Sequence, residues 1–299
     1  NFKNLINLLK EIILLRNSLI HIHYLGWHSL LLLFIHKSNK IISTPWGSDL
    51  LCNRSKIKNI WFNYLFNRTS LVLCDSKRLA EISNKFGHKK KIIEIINFGV
   101  DTSLYKKKRE IFSSNKNIIV GSNRRLEEIY DIETFINAAS LLIKNKKNIS
   151  FQIAGDGSLK NNLYKLVQEK GIEKNIQFLG LLDKREMLNF YNSIDIYVST
   201  SLSDGGLASS TAEAMSFERL VIVANNSDNN KWIKNGINGY LFENSNEIQL
   251  SKLIDKTISK KISSKNIAKL ARKTIEKKYS YEKEMSKVNC FYNEIIMSK

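Results

Sequence analysis

Between residues 117 and 242, short apolar runs alternate with longer amphipathic ones, and this alternation constrains the fold more than any other feature. Strand-length runs fall at 117–120, 149–154, 176–180, 195–199, 220–223 and 239–242, with helix-length patterns at 131–143, 159–170 and 184–191 between them. Strands separated by helices of this length cannot close as hairpins, so they imply βαβ units and a parallel sheet. A second, shorter series is read in the first hundred residues, with strands at 19–25, 41–43, 71–74 and 91–96 and helices at 2–16, 26–35 and 76–86. Residues 106–114 (KKKREIFSS) lack hydrophobic periodicity, which puts the expected linker there. The domains expected are 1–110, 111–280 and a helical tail, 281–299, packing back toward the first domain. Ligands of open parallel sheets bind at the carboxyl ends of the strands, so two Rossmann-like α/β domains facing across a cleft are expected to hold theirs between them.

The stretch with the clearest chemistry is 201–215, SLSDGGLASSTAEAM. A strand, a glycine turn and a helix start bring several backbone N–H groups and the positive end of a helix dipole to one point, an anion site suited to phosphate. Gly205 and Gly206 permit close approach, Asp204 precedes them, and Glu213 lies about one turn inside the helix, where a carboxylate reaches a ribose diol. Such turns are also common as plain structure in α/β proteins. Two further loops end strands on the same edge: Gly121 to Arg125 and Gly155-Asp156-Gly157.

Composition narrows the partners. The net charge is +19, with 20 Lys and Arg against 7 Asp and Glu in residues 1–116 and 27 against 21 in the rest. A basic first part suits an anionic partner, while a general richness in Lys, Asn and Ile accounts for it without function. The helix over 2–16 together with this charge predicts peripheral association with an anionic membrane. The lysines are scattered and no nucleic-acid module signature occurs, so nucleic acid is not an expected partner. Cys52, Cys74 and Cys290 form no CxxC pair, which fits a reducing, cytoplasmic setting and argues against disulfides or zinc.

Several segments together resemble the retaining glycosyltransferases of family 4, which have the two-domain GT-B fold. They are Ile153-Ala154-Gly155-Asp156-Gly157, Phe178-Leu179-Gly180, YNSIDIYVS at 191–199, Glu213-Ala214-Met215 with Val221-Ile222-Val223, and NGINGYL at 235–241. His21-Ile22-His23, TPWGSD at 44–49, Asp75-Ser76 and NFGVD at 97–101 resemble the same family's acceptor domain more loosely. The resemblance implies transfer of a sugar from a nucleotide-diphosphate donor to a glycan or lipid-linked acceptor in cell-surface polysaccharide synthesis, at the inner face of the membrane. No cofactor is implied, and no Asp-x-Asp loop is present to hold a metal.

Roles follow by position. Glu213 matches the second Glu of the family's paired-Glu motif and would hold the ribose hydroxyls. Its partner Glu has no counterpart, since Gly205 occupies the aligned place, and Asp204, one residue earlier, is expected to reach the donor sugar in its stead. Gly155, Gly157, Gly205, Gly206, Ser209 and Ser210 complete the donor set. Arg124 and Arg125 would neutralise the diphosphate, although Tyr130 stands where the family has Lys. His23, preferred to His21, would contact the donor sugar or position the acceptor. Trp46, Gly47 and Asp49 mark the acceptor side, with Trp46 either stacking on a sugar or packing in its loop. The family's opening strands and glycine-rich loop are missing ahead of the first helix, so the first domain is expected to be incomplete, with strand 19–25 an open edge. The rival reading is an inactive homologue serving as a partner subunit.

Overall fold

A computed structural model of the chain describes residues 7, 10, 18–26, 29, 40–51, 55–87, 92–113, 117–144, 148–204, 206–226 and 229–297. The helices expected over 2–16 and 26–35 lie almost entirely outside the described residues, as does Gly205. The chain divides into two units, residues 1–98 with 282–299 and residues 99–281.

In the first unit, β1 (Ile20–His23), β2 (Ile41–Thr44), β3 (Leu71–Cys74) and β4 (Ile92–Ile95) form a parallel sheet in that order. Among the described residues β1 and β4 are its edges. β2 and β3 are buried at every position, as inner strands covered on both faces are; LVLC is apolar throughout, while in β2 Ser43 and Thr44 are hydrogen-bonded, to Thr69 and His21. One face is covered by the helix Lys56–Arg68, whose Trp61, Phe62, Leu65 and Phe66 recur at helical spacing. Ser55 caps that helix, its hydroxyl accepting from the amide of Lys58. On the other face Val288, from the helix Tyr281–Met297, joins Ile42, Leu71, Leu73 and Ile96. Glu284 of the same helix is buried, accepting from the Asn97 amide at 3.0 Å and from Lys287 at 2.5 Å.

The second unit holds β5 (Ile118–Ser122), β6 (Ile149–Ala154), β7 (Ile176–Gly180), β8 (Ile196–Ser199), β9 (Leu220–Ala224) and β10 (Tyr240–Phe242) in the order β10-β9-β8-β5-β6-β7, all parallel. The order reverses beside β5, and that crossover creates the crevice in which doubly wound sheets take their ligands. β8 and β9 are buried throughout. Two helices of this unit, Lys184–Ser193 and Ile132–Ile143, begin at strong local signals. Asp183 and Glu186 form a reciprocal capping box, and Asp131 adopts a left-handed conformation (φ 46°) while capping Thr134.

The expected linker is corrected. Residues 106–112 are not a free connection but are pinned to the second unit by a buried aspartate. Asp195 accepts from the amides of Phe112 and Ile119 and from Arg109. Buried Arg219 donates to the carbonyls of Phe217, Ile194 and Arg109, and Lys107 pairs with Glu110 and Glu218. The break falls at residues 98 and 99 instead. There Gly99 has φ 77°, and a Cβ would lie 2.6 Å from the Tyr281 nitrogen. The segment lacks periodicity because polar anchors hold most of it, with only Ile111 and Phe112 at its end entering the core.

Candidate functional site

The loops after β5, β6 and β8 meet at the carboxyl edge of the second sheet. The first two interlock through the main chain: Leu126 N–H donates to the Asp156 carbonyl at 3.1 Å, and Leu159 N–H donates to the Leu126 carbonyl at 2.9 Å. A Cβ on Gly155 would lie 2.3 Å from the Arg124 carbonyl oxygen, and one on Gly157 would lie 2.4 Å from that of Leu126. Their amides are also engaged, Gly155 with the Gly180 carbonyl and Gly157 with the Asp156 carboxylate. Neither glycine thus has a free amide for the donor binding expected of it. They are glycine because one loop's backbone is pressed against the other's, and the packing fixes where Arg124 starts.

From that base Arg124 reaches the third loop. Its guanidinium pairs with Asp204, donates to Ser210 Oγ at 3.0 Å and to Ser201 Oγ at 3.3 Å, and lies 4.6 Å above the Tyr130 ring. Tyr130, which stands where a lysine was expected, therefore supports the cation by cation–π contact and adds no charge of its own. The Arg124 side chain is 11 % exposed, and its Nε is buried without a hydrogen-bond partner among the described residues. Arg125 differs: its side chain is 73 % exposed and lies 3.8 Å from Glu127. The two arginines expected to act together are thus divided, and Arg124 is the one at the loop junction. Asp204, expected at the mouth of the loop, is instead an 8 % exposed partner of Arg124.

The helix Ser209–Ser216 starts here with Ala208 at its N-cap, which offers no side-chain acceptor to the first-turn amides. Ser209 is exposed and Ser210 half-buried. Ser210 Oγ accepts from Arg124 and, at 2.9 Å, from the Tyr197 hydroxyl, so its own proton is left to donate outward. Burial pushes the Tyr197 hydroxyl up to about 12, which keeps it a donor. Gly206 lies just before this helix. Glu213, one turn in, accepts from the Tyr191 hydroxyl at 2.7 Å. Burial raises its carboxyl above the usual range, and the hydrogen bond from Tyr191, with the nearby Tyr105 phenol, opposes that rise. Tyr191, Tyr197, Tyr105 and Asn123 were all missed in sequence. Tyr191 and Tyr197 sit in the motif at 191–199, which carries the resemblance without giving either a role, and Tyr105 sits beside a stretch that read as linker.

In the first unit the strand ends carry aromatic and neutral groups. His21 Nδ1 is 2.6 Å from the Tyr292 hydroxyl, and its Nε2 is 2.7 Å from Thr44 Oγ1. Burial, then the neighbouring His23, lowers its pKa to about 4. His23 is exposed; its ring lies 4.0 Å from that of His21 and 6.1 Å from that of Trp46, which stacks on Phe98 at 4.8 Å. Gly47 has φ 108° and open space around it. Asp49 is corrected from an acceptor-side contact to a structural group. It is 2 % exposed and takes the amides of Leu25, Trp46 and Leu50 at 2.8 to 3.2 Å. Among the described residues no group of three or more His, Cys, Asp or Glu is arranged to hold a metal ion.

Residues 105–274 match the glycosyl transferases group 1, and the chain belongs to that family. Among curated proteins it is 29 % identical over 171 residues to the poly(ribitol-phosphate) alpha-N-acetylglucosaminyltransferase of Staphylococcus aureus (strain COL), covering 56 % of this chain and 34 % of the relative. It is also 29 % identical over 171 residues to the Escherichia coli UDP-Gal:alpha-D-GlcNAc-diphosphoundecaprenol alpha-1,3-galactosyltransferase, covering 55 % and 42 %. The matched part thus spans between a third and a half of these relatives. Among solved structures, Anabaena Alr3699/HepE in complex with UDP and glucose superposes with a TM-score of 0.78 at 17 % identity, over 96 % of this chain and 81 % of that one. A glycosyltransferase from Rickettsia africae ESF-5 gives a TM-score of 0.80 at 20 % identity, over 98 % and 82 %. The fold is the two-sheet α/β fold of the GT-B glycosyltransferases.

Proposed function

We propose that this chain transfers a sugar from a nucleoside-diphosphate donor to a hydroxyl of a glycan or lipid-linked acceptor, with retention at the anomeric carbon. The observation that carries this reading is the buried Arg124 guanidinium, seated beside Ser210 and the uncapped first turn of helix Ser209–Ser216. As the glycosidic C–O bond breaks, its electron pair passes to the departing diphosphate, and a preorganised cation with N–H donors stabilises that charge most where it grows. Arg124 and the first-turn amides supply this without a metal. Glu213 accepts from the ribose hydroxyls, and the acceptor's proton leaves on the departing phosphate oxygen. His23, Trp46 and Gly47 belong to the acceptor side. The uridine complexes of Alr3699/HepE and the UDP-Gal donor in the name of the E. coli relative make UDP-sugars the first donors to try.

Thermal unfolding with UDP-, GDP- and ADP-sugars tests the reading, because a ligand of the folded state raises the midpoint by mass action. A rise with one donor class, lost in Glu213→Ala, is expected. A folded protein indifferent to all three would end the proposal, and binding without turnover would favour an inactive homologue.

We further propose that the first unit rests on the anionic inner face of a membrane. Among the described residues no helix is long and apolar enough to cross one. The helix Lys56–Arg68 buries one apolar face and turns a second one outward, with Ile57 68 % and Ile60 70 % exposed and Tyr64 on the same stripe. Lys56 and Arg68 lie at its two ends, and it carries no acidic residue, a composition suited to acidic headgroups over an apolar boundary. Sedimentation with phosphatidylglycerol vesicles should weaken with salt and with Ile57→Ser/Ile60→Ser. Equal sedimentation of that variant would discard the surface.

A further inference from the structure

Glu213 is not an isolated acceptor on a helix but the end of a relay of side chains that are themselves pinned. The Tyr191 hydroxyl donates to Glu213 Oε2 at 2.7 Å, lies 3.2 Å from the Ser210 carbonyl, and accepts from Asn123 Nδ2 at 2.7 Å. Asn123 directly precedes Arg124, so the loop that aims the guanidinium also aims the phenol. Tyr191 is fully buried, its ring stacked on Phe217 at 5.4 Å. A second phenol, that of Tyr105, lies near the Glu213 carboxylate, and each shifts the other's pKa. It arrives from a segment fixed by its main chain: the Tyr105 carbonyl accepts from Ser216 Oγ at 2.7 Å and from Arg272 at 3.1 Å, and Arg272 also holds the Thr102 carbonyl. Asp101 ties the same segment through Ser103 and Leu104. The Tyr105 ring stands edge-on to Tyr191 at 6.3 Å and to Phe217 at 5.8 Å.

We propose that Tyr191 is a positioning residue of the nucleotide site, a phenol held by Asn123 that fixes the Glu213 carboxylate so that its remaining lone pairs meet the two hydroxyls of a ribose. This rests on the function proposed above. An ionised carboxylate offers about four lone-pair sites, so one phenol donor leaves enough for both hydroxyls of a vicinal diol. Both phenols stay protonated: Tyr105 is pushed up to about 12 by burial and by Glu213, and Tyr191 well above its ordinary value by the same causes. Donation from Tyr191 also keeps the buried carboxylate ionised, because a hydrogen bond to the charged form opposes the effect of burial. The other charged or titratable groups nearby are Tyr197, Arg124 and Asp204, on the strand side.

The test is UDP titration of the whole chain by calorimetry between about pH 5 and 8, on the wild type, Tyr191→Phe and Glu213→Gln. The phenylalanine keeps the ring packing and removes one donor. Removing that donor raises the Glu213 pKa further, so the acid limb of UDP affinity is expected to move to higher pH in Tyr191→Phe. Affinity at pH 7 should fall about 10-fold or more, as for loss of one hydrogen bond to a charged group. Glu213→Gln should lose the part of the acid limb that Glu213 supplies and keep only that of the UDP terminal phosphate, which titrates at about 6 in every variant. A merely structural role would lower thermal stability and leave the limb where it was. An unmoved limb and unchanged affinity in Tyr191→Phe would overturn the proposal while leaving the nucleotide site standing. A folded wild type that binds no UDP would remove the nucleotide reading and this proposal with it.

Discussion

Two loops that follow parallel strands each bury an aspartate, and they hold it by different means. Asp49, after β2, is satisfied by backbone amides of Leu25, Trp46 and Leu50. Asp204, after β8, is held by the Arg124 side chain, with Ser201 Oγ donating at 3.3 Å. Amide partners cannot leave without unmaking the loop, whereas a guanidinium can turn from a carboxylate to a phosphate at little cost, since both match its planar fork. The first arrangement is architecture and the second is exchangeable. The contrast extends to the surroundings: the first unit gathers neutral histidines and aromatic rings at its strand ends, and the second a cation, carboxylates and hydroxyls.

The sharpest way to break this comparison is at Arg124. Arg124→Ala leaves Asp204 buried without its cation, and losing one partner of a buried pair costs about 3–5 kcal/mol. Urea unfolding should show that loss, and UDP should no longer bind. Arg124→Lys keeps the charge but not the fork, and should recover part of the stability and little of the binding. Arg125→Ala, one residue along, should change stability by no more than about 0.5 kcal/mol, as for an exposed pair. Equal effects at the two positions would mean that the buried pairing does not distinguish them.

The alternation of strands and helices was legible because a two-sided apolar run such as LVIVA has no stable place except inside a covered parallel sheet. The glycine turn, Glu213 and the arginine loop were legible for a similar reason, since strand ends and helix starts announce themselves in sequence. What was not legible depends on long-range partners. Nothing local distinguishes Arg124 from Arg125, or tells that Gly155 faces a carbonyl instead of a ligand. Asp49 and Asp204 look alike in sequence, each in a loop beside glycine and serine. The segment 106–112 read as a linker because its anchors, Asp195 and Arg219, lie about a hundred residues away in the chain. Tyr105 was lost with it.

Acid gives the subtler test, because the two units carry buried titratable groups of opposite sign. His21 is neutral in the native first unit, its ring nitrogens engaged by Tyr292 and Thr44, and its pKa is lowered to about 4 from 6.5. The unfolded chain therefore takes up a proton near pH 6.5 that the native state refuses until about 4. The stabilisation is complete above pH 6.5 and is lost as pH falls through about 4. Allowing for the partial exposure of the ring, the loss is up to about 2 kcal/mol. Glu213 runs the other way: its folded pKa is raised, so its contribution is present below its unfolded pKa and is lost as pH rises through the folded one. Acidification should thus weaken the first unit while favouring, at this one group, the second. Trp27, Trp46 and Trp61 precede residue 98 and Trp232 lies in the second unit, so Trp232→Phe makes tryptophan fluorescence a reporter of the first unit alone. In that background the urea midpoint should fall between pH 7 and 4.5, and His21→Gln, which keeps a donor and an acceptor but cannot titrate there, should flatten the slope. A slope that His21→Gln leaves unchanged would place the acid sensitivity of the first unit on other groups.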